Sequence, residues 1–342
     1  MESQSLFFVA PHQVEVREEG LPALQAGQVL VRTACSAISP GTEMLLYRGE
    51  FPEGLPLDEK IDVLSSEFAY PLKYGYATVG EVISLGQGID QSWLGRQVFA
   101  FQPHASRFIS AIDQLLLVPQ DFSLDDAVFL PNMETAVNFI LDGAPLIGEQ
   151  VAVLGQGIVG LLTTALLTQF PLASLVTVDR FALRRHASAE LGASTSLDPG
   201  DPGFLEAARR SLQVDRQYAG ADLVFELSGS PAALDQAIAL CGFNGRVLIG
   251  SWYGSKRSEL SLGGHFHRSR IQLISSQVST LMPHLSARWD RARRFDLAWE
   301  MLRVFKPSHW ITQRFPITQA RQAYQLIDKN AEETIQVVFT YP

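Results

Sequence analysis

The run Gly155-Gln156-Gly157-Ile158-Val159-Gly160 spaces three glycines in the pattern G-x-G-x-x-G. Its surroundings give the pattern meaning. Val151-Ala152-Val153-Leu154 before it is a short apolar strand, residues 158–170 read as a helix, and Asp179 closes the next apolar run about 20 residues on. In this arrangement Gly155 permits a tight turn, Gly157 lets backbone approach a pyrophosphate, and Gly160 lets the helix pack closely on the strand. The helix start offers unpaired N–H groups and a partial positive charge to phosphates. The pattern therefore predicts a dinucleotide held by Gly155, Gln156, Gly157, Ile158, Val159 and Gly160. Asp179 would accept ribose hydroxyls and repel a 2′-phosphate, which favours NAD over NADP. Arg180, Arg184 and Arg185 stand beside it, so NADP remains the alternative. A domain of this shape that binds no dinucleotide is the bland reading.

Such a motif needs a parallel sheet with crossover helices around it, and the second half of the chain has that alternation. Strands are expected at 150–154, 175–179, 221–227, 246–251 and 271–277, with helices at 124–141, 158–170, 181–191, 231–241 and 286–305. Ser123 is placed to cap the first of these helices. Before residue 121 the chain shows short β-like stretches at 28–33, 76–85, 97–100 and 114–118, separated by Gly and Pro, and a weakly patterned loop at 49–70. The segments 311–316 and 334–341 turn β-like again. This predicts an α/β chain of two domains: a mostly β domain of residues 1–121 and 284–342, and a doubly wound domain of residues 122–283.

Bulk properties narrow the function classes. The 342 residues carry a formal net charge of -9 and lack a basic stripe, which argues against nucleic acid. The densest basic run, Arg288, Arg291, Arg293 and Arg294, is interleaved with Asp290 and Asp296 and reads as a solvated helix face. The two cysteines, Cys35 and Cys241, sit in apolar surroundings and read as buried thiols. The N-terminal residues lack a leader pattern and no run of about 18 apolar residues occurs, so a cytoplasmic protein without membrane association is expected.

Further motifs carry a family resemblance: Pro40-Gly41-Thr42-Glu43, residues 74–82 (YGYATVGEV), Phe225-Glu226-Leu227-Ser228-Gly229-Ser230 and Arg314-Phe315-Pro316, together with the dinucleotide pattern. Over nearly its whole length the chain resembles the medium-chain dehydrogenase/reductase family. Residues 251–254 and 275–278 look closest to a branch labelled zinc-type alcohol dehydrogenases, similar to bacteriochlorophyllide dehydrogenases. The resemblance implies a GroES-like β domain, a Rossmann fold domain and a homodimer. It also brings Ser228 and Gly229 to the cofactor. The departures matter as much. The metal-binding Cys before Gly-Thr-Asp is Pro40 here, with Ser39 beside it. The His of Gly-His-Glu is Tyr76, and residues 131–134 contain no Cys. Catalytic zinc needs about three N, S or O protein ligands, so no zinc is expected.

Without a metal, a hydrogen-bond donor must meet the developing alkoxide. Tyr76 takes the place of the lost ligand and is the first choice for that donor, with a strand-packed tyrosine bonded to backbone as its structural alternative. Thr42 matches the hydroxyl of the family's proton relay, although the relay His is replaced by Leu45. Glu134 is a candidate base or substrate-orienting group, with a helix-start carboxylate as its structural alternative. His104 is a candidate acid or base, with a surface histidine as the bland reading. Ser251 and Trp252 follow a strand at the carboxyl edge of the sheet and are candidates for the nicotinamide or substrate; Tyr253 shares that place, and core packing of the two aromatic residues is the equal alternative. His265 and His267 form a pair without a third metal ligand nearby. The resulting expectation is an NAD(P)-dependent oxidoreductase of an alcohol/carbonyl pair without zinc. Its substrate would be a small molecule, aromatic or cyclic. The alternatives are an enoyl or quinone reductase and a non-catalytic dinucleotide-binding protein.

Overall fold

Strands buried on both faces need continuous apolar runs rather than alternation. Val151–Leu154, Leu175–Val178 and Leu223–Phe225 are such runs, and all are buried. In the computed structural model, which describes residues 2–52, 54–58, 60–213 and 219–342, these runs form the centre of a six-stranded parallel sheet. Its spatial order is Thr195–Leu197, Ser174–Val178, Gln150–Leu154, Ala221–Glu226, Cys241–Ile249, Gln272–Ser275. In chain order this is 3-2-1-4-5-6, the doubly wound arrangement, and its crossovers include the helices Ile158–Leu167, Ala182–Glu190, Phe204–Ser211 and Pro231–Leu240. The order reverses between Gln150–Leu154 and Ala221–Glu226. Ligands bind such sheets beyond the carboxyl ends at that point. Register brings those ends level, with Glu226 opposite Leu154 and opposite Ile249.

The second unit is built on a seven-stranded sheet and an antiparallel hairpin, Glu2–Ala10 with Gln13–Gly20. Its longest strand, Gln28–Ala37, pairs with Thr78–Leu85, Arg107–Ala111 and the C-terminal strand Gln336–Thr340. The chain's end thus returns to the β unit as expected. The hairpin is missed by the sequence reading because Gln13–Gly20 is half charged and largely exposed, with only Val14 buried.

The units are Met1–Pro131 with Leu302–Pro342, and Asn132–Met301, so the boundaries differ from those expected. The segment before Pro131 is bonded into the β unit: Asp121 to Arg303, Asp125 to Arg314, and Asp126 to the Ser308 N–H. The expected helix at 124–141 is two helices, Leu124–Ala127 and Leu130–Gly143, and Ser123 Oγ does accept the Asp126 N–H at 3.1 Å. The basic run also needs correction. Helix Arg291–Phe305 buries Arg294, Ala298 and Leu302 at helical spacing, and Arg294 is only 2% exposed. Arg291 and Arg293 keep to the outer face. Cys35 and Cys241 are buried free thiols. Among the described residues no helix is long and apolar enough to cross a membrane.

Candidate active site

The glycine turn has one close backbone approach on each side of an open position. A Cβ on Gly155, whose φ is +93°, would lie 2.6 Å from Ser228 Cα and N. A Cβ on Gly160 would lie 1.9 Å from the Gly155 carbonyl oxygen. A Cβ on Gly157 would meet nothing nearer than Arg184 Nη1 at 3.8 Å. Gly157 caps helix Ile158–Leu167 with no side chain on its N–H groups. The first turn therefore has no side chain capping its N–H groups, and Gly157 leaves room for close backbone approach beside the Arg184 guanidinium, which fits a pyrophosphate. Ile158 is 2% exposed, and the Gln156 side chain is turned inward onto Val153 O, Gly155 O and Thr164. Any contact they make with a ligand is through backbone, as is that of Val159 at the helix start.

Asp179 is 7% exposed, and its two oxygens accept the Gln156 N–H at 2.7 Å and the Phe181 N–H at 2.8 Å. Each oxygen keeps a second lone pair for a ribose hydroxyl. The carboxylate thus ties the glycine turn to the end of the neighbouring strand. Arg180 and Arg184 lie over the Phe181 ring, at 5.0 and 4.9 Å from its centroid. Burial holds the Arg184 guanidinium below its usual value, against the pull of Asp179. Arg185 is bound to Asp179 O and Asp198. On the other side of the switch point, the Gly229 N–H donates to Ser251 Oγ at 2.8 Å, and Trp252 is 44% exposed.

In the β unit, the turn entering helix Thr42–Arg48 is closed from both ends. Ser39 Oγ accepts the Thr42 N–H at 3.3 Å, and Glu43 Oε1 accepts the Ser39 N–H at 2.8 Å. The reciprocal bonds resemble a capping box but sit ahead of the helix's own cap, Gly41, which has no side-chain bond. Tyr76 donates its hydroxyl to Ser39 Oγ at 2.6 Å. Burial pushes the Tyr76 phenol up to about 12, against opposing hydrogen bonds to Ser39 and Thr42. Tyr76, Ser39 and Thr42 thus form a cluster of neutral hydroxyl groups. A neutral phenol, a serine and a proline are not the donor set of a zinc site, so these residues do not fit that metal. Among the described residues, no three His, Cys, Asp or Glu gather as metal ligands. His265 is bonded to Cys241 O and Ser269.

His104 is fully buried, which corrects its reading as a surface histidine. Its Nδ1 is 2.6 Å from Ser36 Oγ and its Nε2 is 3.0 Å from Glu43 Oε2. Tyr341 bonds Ser36 from one end, and Tyr324 donates to Glu43 at the other. The order hydroxyl, imidazole, carboxylate matches a hydrolase triad. Ser36, His104 and Glu43 are each 0% exposed, however, so no acyl group reaches them. Gly75 makes the space: its φ is +129°, and a Cβ there would sit 3.0 Å from His104 N and Cδ2. The network thereby braces both Tyr76, one residue on, and Ser39, through Glu43.

Glu134 lies in the other unit, and its Oε1 accepts Arg294 Nη2 at 2.8 Å and Nε at 3.2 Å. Burial raises its pKa, offset by Arg294. Arg294 also holds Asn138 and the carbonyls of Val278 and Thr280, so the pair organises helix Leu130–Gly143 and the loop after the last strand. The sequence reading missed three residues: Ser39, Glu43 and Glu226. The first two had a signal in Ser-x-x-x-Glu before a helix; a buried strand carboxylate such as Glu226 has none.

No family model matches the chain. D-guloside 3-dehydrogenase of Escherichia coli (strain K12) is 22% identical over 359 residues, covering 99% of this chain and 100% of that protein. An alcohol dehydrogenase from E. coli CFT073, solved with NADH, matches with a TM-score of 0.78 at 18% identity over 99% of both chains. A zinc-binding dehydrogenase from Sinorhizobium meliloti 1021, bound to NADP, matches with a TM-score of 0.77 at 18% identity over 99% of both chains.

Proposed function

We propose that this chain, which is an oxidoreductase of the medium-chain dehydrogenase/reductase family, interconverts a cyclic secondary alcohol and its ketone with hydroxyl groups in place of zinc. A nicotinamide dinucleotide supplies or accepts the hydride. The observation that carries the reading is the Tyr76–Ser39 hydrogen bond of 2.6 Å at the position of a family metal ligand. Tyr76 gives its proton to the alkoxide that develops on reduction, and the phenolate left behind takes a proton from solvent; oxidation runs the same steps in reverse. Ser39 orients the phenol, and Thr42 adds a second hydroxyl. Such a donor supports turnover of about 10²–10⁴-fold.

NAD is the proposed cofactor, supported by Asp179 with a lone pair left on each oxygen. A cyclic substrate is supported by the relative named for a guloside. The test is a cofactor-linked assay over glycosides, cyclic polyols and aromatic secondary alcohols, run beside elemental analysis. Turnover with less than stoichiometric metal is the expected result. One tightly bound zinc per chain, with activity lost on chelation, would overturn the metal-free mechanism. No rise in melting temperature with NADH or NADPH would overturn the cofactor assignment.

A further inference from the structure

Two turns leave the carboxyl edge of the parallel sheet side by side, residues 227–230 after Ala221–Glu226 and residues 250–254 after Cys241–Ile249. One fully buried side chain fastens both. Glu226 is 0% exposed, and its Oε1 accepts the Ser228 N–H at 2.9 Å and the Ser228 hydroxyl at 2.5 Å. Its Oε2 accepts the hydroxyl of Tyr253. Its backbone carbonyl accepts the N–H groups of Gly250 and Ser251 at 3.0 and 3.2 Å. Ser251 Oγ closes the ring by accepting the Gly229 N–H.

A buried carboxylate is costly unless hydrogen-bonded. The strand does not need one, since its ladder is made by backbone and its other inward residues are apolar. The carboxylate serves the turns beyond the strand. Each half of a doubly wound sheet takes one mononucleotide. Asp179 stands on the half that includes Ser174–Val178, so the adenosine half belongs there. The turns held by Glu226 stand on the other half, and one of them abuts Gly155.

Resting on the cofactor reading above, we infer that Glu226, with Tyr253, is a positioning residue for the nicotinamide half of the dinucleotide. It sets the Ser228-Gly229 and Ser251-Trp252 turns against that half and leaves the adenosine half untouched.

The experiment compares NADH and ADP binding by calorimetry in the wild type, Tyr253→Phe and Glu226→Gln, together with steady-state kinetics. Loss of one hydrogen bond to a charged group should raise the Kd for NADH about tenfold while the Kd for ADP stays within about twofold. The KM for the cofactor should rise more than kcat falls. Equal loss of NADH and ADP affinity would overturn the inference, because it marks a general loosening. A lowered melting temperature with unchanged NADH affinity would overturn it too. Tyr253→Phe removes only a hydroxyl from a half-buried ring, so it decides the matter if Glu226→Gln does not fold. A wild type that binds neither NADH nor NADPH would instead refute the cofactor reading itself.

Discussion

Replacing Tyr76 with Phe removes one atom from the candidate site, and its consequences separate into three measurable parts. The phenol donates to Ser39 Oγ at 2.6 Å, and that hydroxyl keeps the Thr42 N–H as a second partner. The stability cost is therefore that of one neutral hydrogen bond, about 1 kcal/mol. The kinetic cost is larger, because a donor aimed at a developing alkoxide is worth about 10²–10³ in turnover. Cofactor affinity should not change, since the glycine turn and Asp179 lie in the other unit. The third part is the pH dependence. The fold keeps the phenol neutral from its ordinary value of 10.0 up to about 12. In that window the unfolded chain releases a proton that the folded chain retains. Stability therefore falls as pH rises from 10 to 12, and this group contributes no slope below 10. Tyr76→Phe should lower stability by about 1 kcal/mol at neutral pH and make the alkaline slope shallower by one group's share, the other buried tyrosines keeping theirs. The assay is single-turnover oxidation of bound NADH, with denaturant melts across the pH range. A variant that keeps cofactor affinity and turns over within about threefold of wild type would refute the proton-donor role.

Other substitutions test the remaining parts. Asp179→Asn places an amide donor against a backbone N–H at one of its two bonds, so NADH affinity should drop by about tenfold or more in titration. Unchanged affinity would mean that the carboxylate does not organise the turn. Gly160→Ala drives a methyl to 1.9 Å from Gly155 O, and cofactor-induced stabilisation should vanish in thermal melts. Arg294→Ala leaves buried Glu134 with only the longer Arg291 contact at 3.9 Å, at a cost of about 3–5 kcal/mol, or roughly 10 °C in melting temperature. Glu134→Gln keeps an acceptor oxygen for Arg294 but leaves that buried guanidinium without its carboxylate, so it should also destabilise the fold measurably. Wild-type stability in either variant would contradict a buried ion pair.

The centre of the parallel sheet was legible because its strands are buried and appear as nearly continuous apolar runs, whereas the edge strand Thr195–Leu197 is only half-buried and was not expected. The glycine pattern was legible for a related reason. Each glycine answers a steric demand, and Gly155 and Gly160 meet theirs within van der Waals distance. Charged residues misled the reading. Arg294 lies in a run that looks solvated, yet helical spacing turns it inward onto Glu134, a partner 160 positions away. His104 likewise draws its burial from Ser36 and Glu43, which local sequence does not connect to it. Pairings of that separation leave no periodic trace. Ser39 was noted only as the neighbour of Pro40, the residue in the cysteine's place, and its role as the acceptor of the Tyr76 phenol emerges only once the two segments are brought together.

Gly75 links the two halves of the β-unit chemistry through a single missing methyl. Because a side chain there would strike the His104 ring, positions 75 and 104 are not free to vary independently. A descendant that gains a side chain at 75 must shift backbone at 104 or in the segment that carries Tyr76 into strand Thr78–Leu85, because the His104 N lies as close as its ring. In an alignment of this branch, the glycine, the histidine and the tyrosine should therefore be inherited or lost as a set, and chains that regain a metal-binding histidine at 76 should show how the set dissolves.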